Sequence, residues 1–312
     1  MITLAHDVLF QQPTTFTAKT HHATPNAIIA KLKTFWKERW WKQNLPSQSG
    51  WNRMFAFAEQ YLPRDAMRSS PISVDQWVEV NKRYGSKAAR GPDSMDRRDL
   101  QWLLPGLQES LVNLMNHCER LEQWPDALLA GFVYPLPKKP EGTTAGDFRP
   151  VILYSMVYRS RSSLRAKECL RHLEKLVDHH QFGFLPGREA VQVWFTIQAY
   201  LEVSILGGQD KCGWVTDIQK AFENIPRDPI RWLSKKLGIP SRIVNFWHNF
   251  LDNTIRYFSL HGVVGQAMLS NSGYPEGCAM SCFRDGSCRF SLPSLPPSIL
   301  STGHTGLLRG QF

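Results

Sequence analysis

The sequence predicts an α+β domain in which helices pack on one side of a sheet. Two observations carry that expectation. Short apolar runs of strand length alternate along the chain with longer segments of 3.6-residue periodicity, and no internal repeat breaks the pattern. With 42% hydrophobic and 12% aromatic residues in 312, the chain can bury a sizeable core.

The first 25 residues are polar and Thr-rich and are expected to be disordered. Ala27 to Trp41 reads as a helix. Ile28, Ile29, Leu32, Phe35 and Trp36 recur at helical spacing, with Lys31, Lys33, Lys37, Arg39 and Lys42 between and after them. Two readings stand side by side: an amphipathic helix with a solvated basic face, and an RNA-facing arm. Pro46 to Gly50 breaks this segment, and Gly91-Pro92-Asp93 is a turn. Ser94 to Gln123 is helical with an interruption at Pro105, and its second part is expected to bury Leu107, Leu111, Leu114, Cys118 and Leu121. Leu129 to Leu136 is a buried strand, and a second begins near Arg149. Val157 to Val177 is a basic helix with Leu170, Leu173 and Val177 inward, and Arg188 to Ile205 is another helix. Gly213 to Ile218 is a short strand ending in Asp217. Asp228-Pro229 starts a helix that Gly238 closes. Ser241 caps the next, with Ile243, Val244, Trp247, Phe250 and Leu251 inward. Ile255 to Ser259 forms a strand that pairs with His261 to Leu269 around Gly262. From Phe283 to Phe312, 12 of 30 residues are Ser, Pro or Gly and periodicity is lost, so this stretch reads as an unrelated tail of low order.

The net charge of +10 and a pI near 9.4 favour a polyanionic partner, because each phosphate contact releases condensed counterions. No apolar run approaches the roughly 20 residues of a membrane span, and the N-terminus lacks the pattern of a secretion signal. A nuclear or cytoplasmic chain, neither secreted nor membrane-bound, is the expectation. The six cysteines are scattered without C-x-x-C and read as free thiols. Cys278, Cys282, Cys288 and His304 match no standard zinc spacing.

The strongest single chemical signal is Val215-Thr216-Asp217-Ile218-Gln219-Lys220-Ala221-Phe222-Glu223. A carboxylate at the end of a rigid strand can hold Mg²⁺ against a triphosphate, a backbone carbonyl one residue later can add an oxygen, and a bulky ring can test a sugar for its 2′-hydroxyl. Alone, a strand-end Asp is more often a helix cap or a turn residue. Four further blocks stand in order around it. They are Ala89-Arg90-Gly91-Pro92-Asp93; Leu136-Pro137-Lys138-Lys139-Pro140 with Asp147-Phe148-Arg149-Pro150-Val151-Ile152-Leu153; Gln181-Phe182-Gly183-Phe184-Leu185-Pro186-Gly187-Arg188; and Gly273-Tyr274-Pro275-Glu276-Gly277-Cys278-Ala279-Met280-Ser281. Together, over about residues 86 to 282, they resemble the reverse transcriptases of non-LTR (LINE-type) retrotransposons.

The resemblance implies a right-hand polymerase with fingers and a partial palm, an incomplete antiparallel sheet with packed helices, and an absent thumb. It divides the chain into an N-terminal extension (1–85), fingers and partial palm (86–282) and the tail (283–312). Asp217 resembles the family's first catalytic and metal-binding carboxylate, with the Ile218 carbonyl as a second Mg²⁺ ligand. Lys138, Lys139, Arg149, Ala221, Phe222 and Gly277 fall at nucleotide-binding positions. Lys and Arg clamp the triphosphate, Phe222 gates the sugar, and Gly277 allows close backbone approach to the nascent base pair. Arg188 and Glu276 fall at template contacts. Without the resemblance, Lys138 to Arg149 also reads as a solvated basic hairpin and Arg188 as a helix-start charge. The implied partners are an RNA template, a DNA primer and deoxynucleoside triphosphates.

Two departures follow. Glu276 stands where the family has Gln, and a carboxylate repels phosphate and donates no hydrogen bond. No two Asp are adjacent anywhere in the chain, so the family's Asp-Asp motif is missing and similarity stops at about Cys282. The expectation is therefore a truncated, catalytically inactive fragment with an uncovered apolar face. A non-catalytic nucleic-acid-binding remnant is the alternative. A viral-type RNA polymerase fits Phe222 poorly, because such an enzyme must admit the 2′-hydroxyl.

Overall fold

The computed structural model describes residues 24–42, 48–60, 62, 65–83, 89–140, 144–177, 181–208 and 220–282. The expected disordered start, the strand at 213–218 and the tail lie outside the described residues, apart from Thr24 and Pro25.

Helix α1 (Pro25–Trp40) begins two residues before the periodicity suggests, because Thr24 caps it through its hydroxyl and Pro25 is preset for the first turn. Its buried stripe is Ile29, Leu32, Trp36 and Trp40. Trp36 stacks on Trp40, and Trp40 lies nearly parallel to Phe258, with centroids 5.9 Å apart. The short helices α2 (Gln48–Ala58), α3 (Val74–Arg83) and α4 (Arg97–Trp102) follow. One continuous core takes in Ile29 and Trp36 of α1, Trp77 of α3, and Phe250 and Phe258, so the first 85 residues contribute to the same packing as those beyond.

Helix α5 (Pro105–Leu121) corrects the sequence reading. Cys118 is buried, but Leu107, Leu114 and Leu121 are about half exposed, and the inward positions are Val112, Met115, Asn116 and Glu119. Polar pairing decides the rotation. Asn116 both accepts from the Ile72 N–H and donates to the Ile72 carbonyl, each at 2.9 Å. Glu119 pairs with two guanidiniums, Arg161 and Arg165, which are themselves buried in α6 (Met156–Glu174), and Glu168 adds a second carboxylate to Arg165. Leaving those charges unpaired would cost several kcal/mol, about 3–5 on the usual scale for breaking a buried pair, so the leucines turn outward instead. In α6, Leu173 is inward as expected, Leu170 is half-buried, and Val177 is buried beyond the helix end.

Strands β1 (Ala130–Pro137), β2 (Phe148–Tyr154), β3 (Ile255–Leu260) and β4 (Val263–Val264) form one sheet in the order β2-β1-β3-β4. β1 pairs antiparallel with β2 but parallel with β3. The sheet is therefore mixed, not the antiparallel one expected, and the helices between β2 and β3 supply the crossover that parallel neighbours require. The β3–β4 hairpin turns on His261 and Gly262, both at positive φ, and its return extends to a bridge between Arg256 and Met268.

Three helices complete the description after α7 (Ala190–Leu206): α8 (Ala221–Asn224), α9 (Arg227–Lys236) and α10 (Ser241–Asn253). α9 starts one residue before the expected cap, with Asp228 exposed in its first turn. Pro240, not Ser241, occupies the cap of α10, whose five predicted inward residues are all buried. α7 is different in kind. Of its 17 residues only Ser204 is buried, while Trp194 and Phe195 are about 70% exposed and Leu206 is 88% exposed. A helix apolar on every side belongs in an interior, so this one presents a face built to be covered.

Candidate functional site

Three chain segments meet beside the sheet. The first is the turn into α8. Lys220 sits in the left-handed region (φ 49°), and Phe222 is half-buried with its carbonyl accepting the Tyr274 N–H at 2.6 Å. The second is the loop 273–277. Gly273 (φ 70°) lies so close that a Cβ there would stand 2.7 Å from both the Phe222 and Glu223 carbonyl oxygens. Only glycine satisfies both the torsion and the approach. The third is β2, where the Ile152 N–H donates to the Glu276 carbonyl at 2.8 Å and Val151 bridges Glu276. Gly277 (φ 102°) makes this possible, since a Cβ would meet the Ile152 oxygen at 2.7 Å. The close approach that the structure shows for Gly277 is thus to the β2 backbone.

Arg227 fixes the loop from behind, and the sequence reading missed it. Its guanidinium is buried and donates to the carbonyls of Leu251, Ser270, Ser272 and Gly273, to Ser270 Oγ and to the Asp252 carboxylate. The only signal was a basic residue after Pro226, which resembles any solvated charge at a helix start. Below the loop, Ser281 Oγ donates to the Pro275 carbonyl, and Cys278 Sγ lies 3.0 Å from the Tyr158 hydroxyl. Burial pushes the Tyr158 phenol well above its ordinary range.

The β1–β2 hairpin presents the expected cations. Leu136 pairs with Arg149 across the two strands. Because Phe148 and Pro150 turn inward, the strand's alternation puts Arg149 outward and exposed, like Lys138 and Lys139. Lys138 Nζ donates to the Gly146 carbonyl at 3.1 Å. Burial first, then the charges of Arg39 and Lys138, lower the Lys220 ammonium below its ordinary pKa.

The structure thus brings Ala221, Phe222, Glu276 and Gly277 together and joins them to the strand that carries Arg149. Arg188 is turned back on its own loop, donating to the Gln181 carbonyl at 2.6 Å. Asp217 and Ile218 lie outside the described residues. Among the described residues no three His, Cys, Asp or Glu side chains converge as a metal site, and no helix is long and apolar enough to cross a membrane.

This convergence sits inside a matched family segment. Residues 136–284 match the family described as reverse transcriptase (RNA-dependent DNA polymerase). The match supports a reverse transcriptase, and it spans the hairpin, the Gln181–Arg188 block, the Asp217 segment and the 273–281 loop. Reverse transcriptases act on a nucleic-acid template and primer with deoxynucleoside triphosphates, and they use a divalent metal ion.

Proposed function

We propose that this chain carries the fingers and part of the palm of a non-LTR-type reverse transcriptase, whose chemistry is template-directed nucleotidyl transfer. The carrying observation is the loop 273–277. It is hydrogen-bonded on one side to Phe222 and on the other to Ile152, so two blocks far apart in sequence share a wall with the basic hairpin.

Asp217 and the Ile218 carbonyl are the proposed Mg²⁺ ligands, hard oxygen donors suited to that ion. The metal would neutralise phosphate charge and activate the attacking hydroxyl. Arg149 grips phosphate oxygens bidentately, while Lys138 and Lys139 act as point charges. The Phe222 ring discriminates against a 2′-hydroxyl. Ala221, beside it, lies along the sugar, and Arg188 and Glu276 are assigned to the template side.

Two-metal transfer needs carboxylates bridging both ions, and these 312 residues contain no adjacent Asp pair. The chain by itself therefore extends no primer. Primer extension on an RNA template with Mg²⁺ or Mn²⁺ checks this, and product abolished by Asp217→Ala would refute it. The binding half of the reading is tested separately. With primer and template bound, the chain should take up dGTP in preference to GTP opposite a templating C, and Phe222→Ala should erase the preference. Equal binding of the two nucleotides by the unmodified chain would exclude the sugar gate. Salt-sensitive RNA binding with no nucleotide uptake would favour the remnant.

A further inference from the structure

Phe35 is a meeting point that no part of the polymerase reading uses. It lies on α1, far in sequence from both the hairpin and the turn into α8, yet it touches both. The Arg39 guanidinium lies over the Phe35 ring, 3.4 Å from the centroid, and also donates to the Phe35 carbonyl at 2.7 Å. The Lys220 ammonium lies 5.1 Å from the same centroid and 5.9 Å from the Trp36 ring. On the hairpin side, Gly146 approaches the Phe35 ring closely enough that a Cβ there would stand 3.4 Å from Cζ, and the Gly146 carbonyl accepts from Lys138 Nζ. A fourth cation, Lys42, reaches Asn224 Oδ1 at 3.5 Å.

Two segments thus bring a cation to one phenyl ring, Arg39 and Lys220, and the hairpin brings a third, Lys138, close enough for its charge to act on Lys220. Like charges so gathered repel, and a ring quadrupole offsets that only by about 0.5–2 kcal/mol per contact. Glu223 is a favourable carboxylate influence on Lys220, and among the described residues none of Arg39, Lys138 and Lys220 forms an ion pair. The α1 backbone is anchored by its tryptophan stack on β3 and by the paired bonds between Lys42 and Asn271, and the Arg39 guanidinium is tied to the Phe35 carbonyl. A fixed cluster of cations is what a compact polyanion needs, because preorganised donors spare the cost of ordering them on binding.

We propose that Arg39 and Lys220 join Lys138 in a phosphoryl-binding cluster around Phe35 that receives the polyphosphate end of the incoming nucleotide. This rests on the polymerase reading above, and it gives the N-terminal helix a direct part in substrate binding. The phosphoryl oxygens could come from two sources, a nucleotide's polyphosphate or the phosphodiester backbone of a single strand. A cluster gathered on one ring suits the compact source.

The test uses the full 312-residue chain, titrated calorimetrically with inorganic tripolyphosphate in Mg²⁺ buffer and, separately, with a single-stranded RNA oligomer lacking a 5′-phosphate. Lys220→Gln and Arg39→Gln should each weaken tripolyphosphate binding about tenfold or more, the usual scale for a lost charge-assisted bond. Lys220→Arg and the remote control Arg171→Gln should retain it, and RNA affinity should change less than twofold. Chemical denaturation midpoints confirm that each variant is folded. Unchanged tripolyphosphate affinity in both Gln variants overturns the cluster, as does no binding by the unmodified chain, or loss of RNA affinity alone. Nucleotide binding that falls with Arg149→Gln but not with Lys220→Gln or Arg39→Gln sinks the cluster and spares the polymerase reading. Binding indifferent to all three substitutions sinks both.

Discussion

Replacing Arg227 by Met removes one side chain and strips partners from a whole loop. The guanidinium serves four backbone carbonyls, one hydroxyl and the Asp252 carboxylate, and it is itself buried. A buried acceptor left without a donor costs roughly 1–3 kcal/mol. Ser270 and Ser272 are buried, so at least their two carbonyls cannot turn to water without opening the loop. Asp252 is exposed, keeps Arg231 and loses little. The sum points to about 3–5 kcal/mol, in line with breaking other buried charge networks and a large share of the 5–15 kcal/mol that holds a typical domain. Urea unfolding followed by tryptophan fluorescence should show a lower midpoint at unchanged slope. Arg227→Lys, able to reach only one or two of the carbonyls, should fall between. Amide exchange at Tyr274, whose N–H is held by Phe222, should accelerate in both variants. A loss below about 1 kcal/mol for Arg227→Met would show that the loop is held by something other than this guanidinium.

Other substitutions probe separate features. His248 is fully buried and kept neutral, its pKa pushed well below the ordinary value by burial and then by Arg231, Arg227 and Lys235. The unfolded chain takes up a proton below about pH 6.5 and the folded one does not. Stability is therefore full above that pH and falls as the medium is acidified, by up to about 1.4 kcal/mol per pH unit; urea midpoints from pH 7 to 5 should drop less steeply in His248→Gln. Gly273→Ala should cost more than Gly187→Ala, although both have φ 70°, because only Gly273 would drive a methyl into carbonyl oxygens; equal midpoint shifts would mean that torsion alone matters. Trp194→Glu with Phe195→Glu on α7 should reduce self-association and binding of hydrophobic dyes without lowering the unfolding midpoint, and unchanged light scattering would show that this face is not what drives association.

Strong periodicity made most elements legible. The inward set of α10 and the β3–β4 turn at His261-Gly262 follow from spacing and turn chemistry alone. Several of the failures share a cause, burial of polar groups. Of the five inward positions expected for α5, Cys118 is buried and Leu111 packs against the core, but Leu107, Leu114 and Leu121 turned outward once Glu119 and Asn116 found partners on distant segments, which no local pattern announces. Likewise nothing near Arg227 or Phe35 in the chain reveals the four carbonyls around one or the Lys220 ammonium beside the other. The parallel pairing of β1 with β3 was missed because strand direction is set by the crossover between strands, not within them. At the candidate site, Gly277 was expected to allow a close approach to a base pair, and the neighbour shown is the β2 backbone; the equally close approach at Gly273 was not singled out.

The seating of α1 against residues near the other end of the described chain has a consequence for biosynthesis. The Lys42 amide donates to an Asn271 side chain 229 residues downstream. At a translation rate of about 5–20 residues per second, the helix waits roughly 10–45 s for its seat to leave the ribosome. During that interval its tryptophans have nowhere to go, which makes the nascent polypeptide a natural client for chaperones that bind exposed aromatic stretches.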